Sequence, residues 1–170
     1  MRDPHSSPII KSLHPAVAQE AESIINEAET RLRLTTAIRV TQGLRTMEEQ
    51  AALYAKGRTS AGPRVTNASP GESYHNYGLA LDFALLHDKD GNGTYEEIDW
   101  NMTSVSNEEH QTDWMEVVNA FLKARWFWGG NFHSLKDNPH FEKTFGLNWR
   151  ELQRRYNNGE FIPDTKYVRL

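Results

Sequence analysis

Ser73-Tyr74-His75-Asn76-Tyr77-Gly78-Leu79-Ala80-Leu81-Asp82-Phe83 passes from a polar turn into an apolar run that carries a single acid. The alternation from Leu79 to Leu85 predicts a strand. In it Leu79, Leu81 and Phe83 share one face, and Ala80 and Asp82 share the other. Asp82 therefore points away from the apolar face, beside a small residue that leaves room for something bulky. His75 lies seven positions earlier, so a regular strand would put it on the opposite face. Gly78 permits a bend that brings the imidazole round to the carboxylate. Further along, Asp137-Asn138-Pro139-His140-Phe141-Glu142 offers a second imidazole with an acid three residues before it. Two histidines and one carboxylate, with a fourth position left for water, form the ligand set of a catalytic zinc site. The additional acid then suits a general base. The same residues also suit hydrogen-bonded turns that hold no metal, and spacing alone leaves both readings open.

The flanking sequence supplies helices and short strands in no βαβ rhythm. Ala16 to Arg33 reads as an amphipathic helix, with Val17, Ala21, Ile24, Ile25, Ala28 and Leu32 at helical spacing. Leu34 to Gln42 changes to a strand period, and Gly43 breaks it. Thr46 and Glu49 make a capping box for a second helix that ends at Gly57. Gly57 to Gly71 is a loop rich in Gly, Pro, Ser and Thr. Trp114, Val117, Val118, Phe121 and Leu122 form the stripe of a third helix, ending before Trp128-Gly129-Gly130. A short strand at His140 to Glu142 and a last helix from Asn148 follow. The pattern predicts an α+β fold with a small antiparallel sheet and flanking helices. A chain of 170 residues suits one domain over 1–170, with 1–15 an extended arm and 86–100 an inserted acidic loop.

Charge and composition exclude several functions. The net charge is −4 and the isoelectric point about 6.0, so there is no basic footprint for nucleic acid. The absence of cysteine removes thiol catalysis and thiolate metal sites, leaving any metal to His, Asp and Glu. No run approaches the roughly 18 apolar residues of a membrane span. The first ten residues lack the apolar core of a secretory signal, so either export does not follow the usual route or a leader has been removed. His5, His14 and His110 sit in polar segments and read as solvated surface residues. His133 reads as an exposed loop residue. Ser73 lacks the second glycine of a nucleophile elbow, which excludes a serine hydrolase.

Ser73-x-His75-x-x-Gly78-x-Ala80-x-Asp82 resembles the first metal motif of the zinc D-Ala-D-Ala carboxypeptidases and L-alanyl-D-glutamate endopeptidases, a family that includes vancomycin-resistance dipeptidases and phage endolysins. Arg45-Thr46-x-x-Glu49-Gln50-x-x-Leu53-Tyr54-x-x-Gly57-Arg58 is similar to the family helix before that motif, and Val65-Thr66-Asn67-Ala68 to the stretch leading into it. Trp128-Gly129-Gly130-Asn131-Phe132 with Asp137-x-x-His140-Phe141 resembles the closing motif. The similarity runs in order from about residue 36 to 153. It implies the Hedgehog/DD-peptidase fold, with His75, Asp82 and His140 as zinc ligands. It also implies that Asp137 takes a proton from the attacking water and passes it to the departing amine. Asp, where many members have Glu, is similar to the phage endopeptidase branch. Arg45 takes the place of the arginine that steadies the developing oxyanion or a substrate carboxylate, and Ser73 lines the substrate site.

Asp88-Lys89-Asp90-Gly91-Asn92-Gly93-Thr94-Tyr95-Glu96-Glu97-Ile98-Asp99 matches an EF-hand loop at positions one, three, five and six. Calcium ligands are expected from Asp88, Asp90, Asn92, Thr94, Glu96 and Asp99, the last a departure from the usual Glu. Five acids and one lysine give this loop a charge of −4, equal to that of the whole chain. A solvated Asp/Asn/Gly turn is the other reading.

The resemblance thus implies a zinc peptidase acting on the peptidoglycan stem peptide, with an L-alanyl-D-glutamate endopeptidase preferred and a monomer expected. The endolysin-like layout places it in a host cytoplasm before lysis, acting afterwards on the cell wall, with neither nucleic acid nor membrane as a partner. A D-Ala-D-Ala carboxypeptidase or dipeptidase is the alternative within the class. A non-catalytic zinc- or calcium-binding module of the same fold is the alternative outside it.

Overall fold

The computed structural model describes residues 1–103, 112–133 and 136–170. His110, read as a surface residue, lies outside them. The helices are α1 (Ser6–Lys11), α2 (Pro15–Glu29), α3 (Met47–Ala55), α4 (Asp113–Lys123) and α5 (Trp149–Asn157). The strands are β1 (Thr36–Gln42), β2 (Ala80–His87), β3 (Glu97–Asp99), β4 (Phe127–Trp128) and β5 (His140–Glu142).

All strand pairs are antiparallel, and β2 is the hub. β1 runs along one edge of β2. The other edge is shared, with β5 on Ala80 to Asp82 and β3 on Leu85 to His87. β4 then pairs with β5. β3 and β4 have no counterpart in the sequence reading: β3 lies within the stretch read as an acidic loop, and β4 is two residues directly before Gly129-Gly130.

The apolar face of β2 behaves as its alternation requires. Leu79, Leu81, Phe83 and Leu85 are fully buried with Val17, Ala21, Ile25 and Ala28 of α2 and with Trp114, Val117, Val118 and Phe121 of α4. Phe121 stacks on Phe141 at 4.4 Å between ring centroids, and Phe83 meets Trp114 at the same separation. Because Phe141 faces this core, its neighbour His140 must face the other way.

α4 ends in a Schellman turn. Trp126 donates its backbone N–H to Phe121 O at 3.1 Å and Arg125 donates to Leu122 O at 2.9 Å, while the Phe121 and Trp126 rings meet edge to face. Arg125 holds the left-handed position of this turn, φ 62°, which glycine usually occupies.

The expected extended arm is corrected. Residues 6–11 are helical, and Ile10 and Leu13 are buried in the core, so the apolar pair Ile9-Ile10 and Leu13 anchor a segment that polar neighbours disguised. Ser6 accepts the Val40 N–H at 2.8 Å and donates to Asp3 at 2.7 Å. His14 is likewise corrected from solvated to buried. Its Nδ1 caps α2 by accepting from Ala16 N–H at 3.1 Å, and its Nε2 donates to Val168 O at 2.9 Å. His5 and His133 are exposed, as read from the sequence.

Among the described residues no helix is long and apolar enough to cross a membrane.

Candidate metal centre

Three elements deliver three donors to one point. Tyr74–Tyr77 form a single 3-10 turn capped by Ser73, and Gly78 follows in the left-handed conformation, φ 69°. This is the bend that the seven-residue spacing demanded. A Cβ at Gly78 would come 2.7 Å from the His14 backbone nitrogen, so glycine is required there both for conformation and for room. The turn puts His75 Nε2 3.2 Å from Asp82 Oδ1. Asp82 pairs in register with His140 across β2 and β5, and directly opposed residues share a face, so His140 Nδ1 lies 3.1 Å from the same oxygen. The two imidazole nitrogens are 3.1 Å apart. A bulge between Val40 and Gln42 of β1 falls beside Asp82, where such irregularities re-aim side chains.

The outer nitrogens fix the tautomers. His75 Nδ1 donates to Gly43 O at 2.8 Å, and His140 Nε2 donates to Glu142 at 2.9 Å. Both inner nitrogens therefore present lone pairs toward a carboxylate oxygen. Three acceptors that face one another repel unless a cation sits between them. Their 3.1–3.2 Å separations match the edge of about 3.3 Å that a tetrahedral ion with bonds of about 2.0 Å requires. No fourth His, Cys, Asp or Glu among the described residues joins the group, and the open side faces a cleft. The donor set thus fits a divalent ion with a free coordination position. Electrostatics agree. Burial would raise Asp82, but the His75 and His140 imidazoles hold it far below the usual carboxylate range. Burial would lower His140, but Asp82 and Glu142 push it up to about 9.

The cleft has a volume of about 570 Å³, and Arg45, Ser73 and Asp137 line it with the three donors. Asp137 is open to the cleft on one side, yet partial burial and the Asp82 charge raise it above the ordinary value. Gly129 fixes its backbone, accepting the Asp137 N–H at 3.1 Å. A Cβ on Gly129 would fall 2.3 Å from Asp137 O and 3.0 Å from His140 Cβ. Arg45 Nη2 stands 3.8 Å from Asp82, and Nη1 donates to Gln50 at 2.9 Å. Burial lowers the Arg45 pKa against the pull of Asp82, Glu49 and Asp137, and a guanidinium stays charged at neutral pH regardless. Ser73 accepts the His75 backbone N–H at 3.4 Å.

The sequence reading missed Glu142, Gln50 and the Gly43 carbonyl. Glu142 was findable, since it sits two residues beyond His140 on the same strand face. Gln50, fully buried, bridges Arg45 to Ala68 O at 2.7 Å, a link with no local signature.

The acidic loop is brought together only in part. Asp88, Asp90 and Glu96 lie close enough to share an ion. The Asn92 oxygen instead accepts from Thr94 N–H, and its amide donates to Asp90 at 2.9 Å. Asp99, expected at the last ligand position, is drawn away by β3, where it meets His87 Nε2 at 3.1 Å and accepts from Asn101 N–H at 2.7 Å. The six-ligand arrangement over 88–99 is therefore not assembled.

Known proteins bear on these features in three ways. A family model described as D-alanyl-D-alanine carboxypeptidase matches residues 66–143. The peptidoglycan L-alanyl-D-glutamate endopeptidase CwlK of Bacillus subtilis (strain 168) is 42% identical over 135 residues, which is 79% of this chain and 75% of that protein. The crystal structure of the Serratia marcescens L-Ala D-Glu endopeptidase ChiX superposes with a TM-score of 0.51 at 23% identity, covering 84% of this chain and 88% of the other, and supports the fold. The chain belongs to the peptidase M15 family.

Proposed function

We propose that this protein is a zinc-dependent peptidase that hydrolyses the L-alanyl-D-glutamate bond of the peptidoglycan stem peptide. The observation that carries the reading is the convergence of His75, Asp82 and His140 lone pairs at the floor of a cleft also lined by Asp137 and Arg45. The likeness to CwlK supports the choice of bond. Zinc, when bound, lowers the pKa of a coordinated water to about 7 and polarises the scissile carbonyl.

The chain's own residues supply the rest. His75, Asp82 and His140 would hold the ion, and the partners of the outer imidazole nitrogens, Gly43 O and Glu142, keep the two rings in place. Asp137 takes the proton of the attacking water and delivers it to the departing amine. Its raised pKa suits that exchange, because a stronger base accepts more readily. Arg45 faces the charge that develops on the carbonyl oxygen, and Ser73 lines the substrate path. The finer setting drawn from the resemblance, a monomeric phage endolysin that meets the wall from a host cytoplasm, belongs to the same proposal. So does calcium on the loop, narrowed to Asp88, Asp90 and Glu96 and testable by calorimetric titration.

The family description favours a second reading, removal of D-alanine from the stem terminus. Digestion of purified peptidoglycan separates the two. New D-glutamate amino termini support the endopeptidase, and free D-alanine or its dipeptide supports the carboxypeptidase. No product at all overturns both.

A further inference from the structure

We propose that the aromatic groove beside the metal centre is a saccharide subsite, holding the amino sugar from which the stem peptide hangs. The inference rests on the stem-peptide reading above. The groove, about 400 Å³, is lined by the aromatic side chains of Trp126, Phe127, Trp128 and Phe132 together with Leu122, and by two polar residues, Arg125 and Asn131. That volume lies within the usual range for small-ligand sites.

Continuity places it. Phe132 lines both this groove and the metal cleft, and its ring centroid is 5.8 Å from that of His140. In peptidoglycan the L-alanine nitrogen is joined through a lactyl arm to the muramic sugar. The sugar therefore begins about 7 Å from the scissile carbonyl, counting two chain units of roughly 3.5 Å. A groove that starts one aromatic ring from a metal ligand lies within that reach.

The lining chemistry selects the ligand. A pyranose has an apolar C–H face edged by hydroxyl and N-acetyl groups, and it suits an aromatic surface with a few polar groups at the rim. Phe127 leaves 56% of its surface to solvent although it stands in a strand. Its backbone pairs with Glu142, so the ring is not what holds β4 in the sheet. Arg125 occupies the left-handed position that glycine fills at less steric strain, and from there its side chain meets the groove. A stem peptide carrying several carboxylates would need more cations than Arg125. An anionic lipid surface would need a basic cluster, which this lining does not contain.

Two soluble substrates with the same scissile bond test the proposal: a disaccharide tripeptide and the N-acetylated tripeptide without sugar. Wild type is expected to favour the sugar-bearing substrate at least tenfold in kcat/KM. Phe127→Ser should bring that ratio within threefold of one, and Phe127→Tyr should restore it. A wild-type ratio near one, or a ratio that Phe127→Ser leaves intact, overturns the subsite. Should neither substrate be cleaved, the peptidase reading fails, and titration with the disaccharide alone decides the groove through tryptophan emission. A saturable change in wild type that Phe127→Ser abolishes supports it. No change in wild type, or equal changes in both, overturns it.

Discussion

Trp128 donates its indole N–H to the carbonyl of Asn138 at 2.8 Å. Asn138 follows Asp137 and precedes His140 by two residues, so this one bond braces the segment that carries both the proposed base and a metal donor. Gly130 presses on the same indole, where a Cβ would come within 2.3 Å of the ring. Trp128→Phe keeps an aromatic ring and removes the bond. A displacement of about 1 Å in catalytic geometry costs up to roughly 100-fold in rate. The variant should thus lose 10- to 100-fold in kcat on a sugar-free peptide, with KM within about threefold and zinc content unchanged. Full kcat would show that Asn138 needs no such brace.

The metal centre offers a sharper division of labour. Glu142→Gln leaves all three donors in place and weakens the hydrogen bond that orients His140. Loss of such an orienting partner typically lowers metal affinity by about 10- to 100-fold. Zinc competition against a chelator should report a drop of that size. Asp82→Ala, which removes a donor, should abolish stoichiometric binding. Removing zinc from wild type should also lower the thermal midpoint, because a ligand that binds only the folded state stabilises it by mass action. Equal midpoints with and without zinc would argue that the three donors hold no ion.

Asp137 and Arg45 separate chemistry from metal binding. Asp137→Asn keeps the size of the side chain and loses the proton acceptor. Turnover should fall by about 100-fold or more, the usual worth of a positioned base, while zinc binding persists. Gln50→Ala tests positioning at one remove, since Gln50 holds Arg45 Nη1 at 2.9 Å and reaches Ala68 across the cleft wall. Its effect should appear mainly in kcat and should be absent in an Arg45→Ala background. Additive losses in the double variant would mean that Gln50 acts elsewhere.

The sequence exposed what depends on short range and hid what depends on register. Alternation around Asp82 gave the strand and its polar face, and Gly78 gave the bend that lets His75 join it. The Asp82 to His140 pairing spans 58 residues and is set by two strands meeting in register. Spacing could not place it; only the family resemblance linked the two. Asp99 shows the opposite failure. A loop pattern read in isolation assigned it to calcium, but pairing of β3 with β2 gave its carboxylate to His87. The first fifteen residues misled through polarity, since charge at Arg2 and Asp3 concealed groups that are satisfied internally.

That buried N-terminal cluster sets a pH dependence remote from the site. Asp3 is almost fully buried and accepts two hydrogen bonds from Arg39, Nη2 at 2.9 Å and Nε at 3.1 Å. Burial alone would raise its pKa, but Arg39 and Ser6 bring it down to about 2 from the ordinary 3.8. A carboxylate depressed in the folded state stabilises the fold above its unfolded pKa, and that contribution disappears as pH falls from about 4 to about 2. Because solvent reaches Arg39, the pair contributes about 1–2 kcal/mol at neutral pH rather than the full linkage value. Asp3→Asn should therefore lower the thermal midpoint by about 3–6 °C at pH 7, and the gap from wild type should narrow as pH drops below 4. Urea midpoints at pH 7, 4 and 3 measure it. A deficit that stays constant across the three would assign the loss to packing instead of charge.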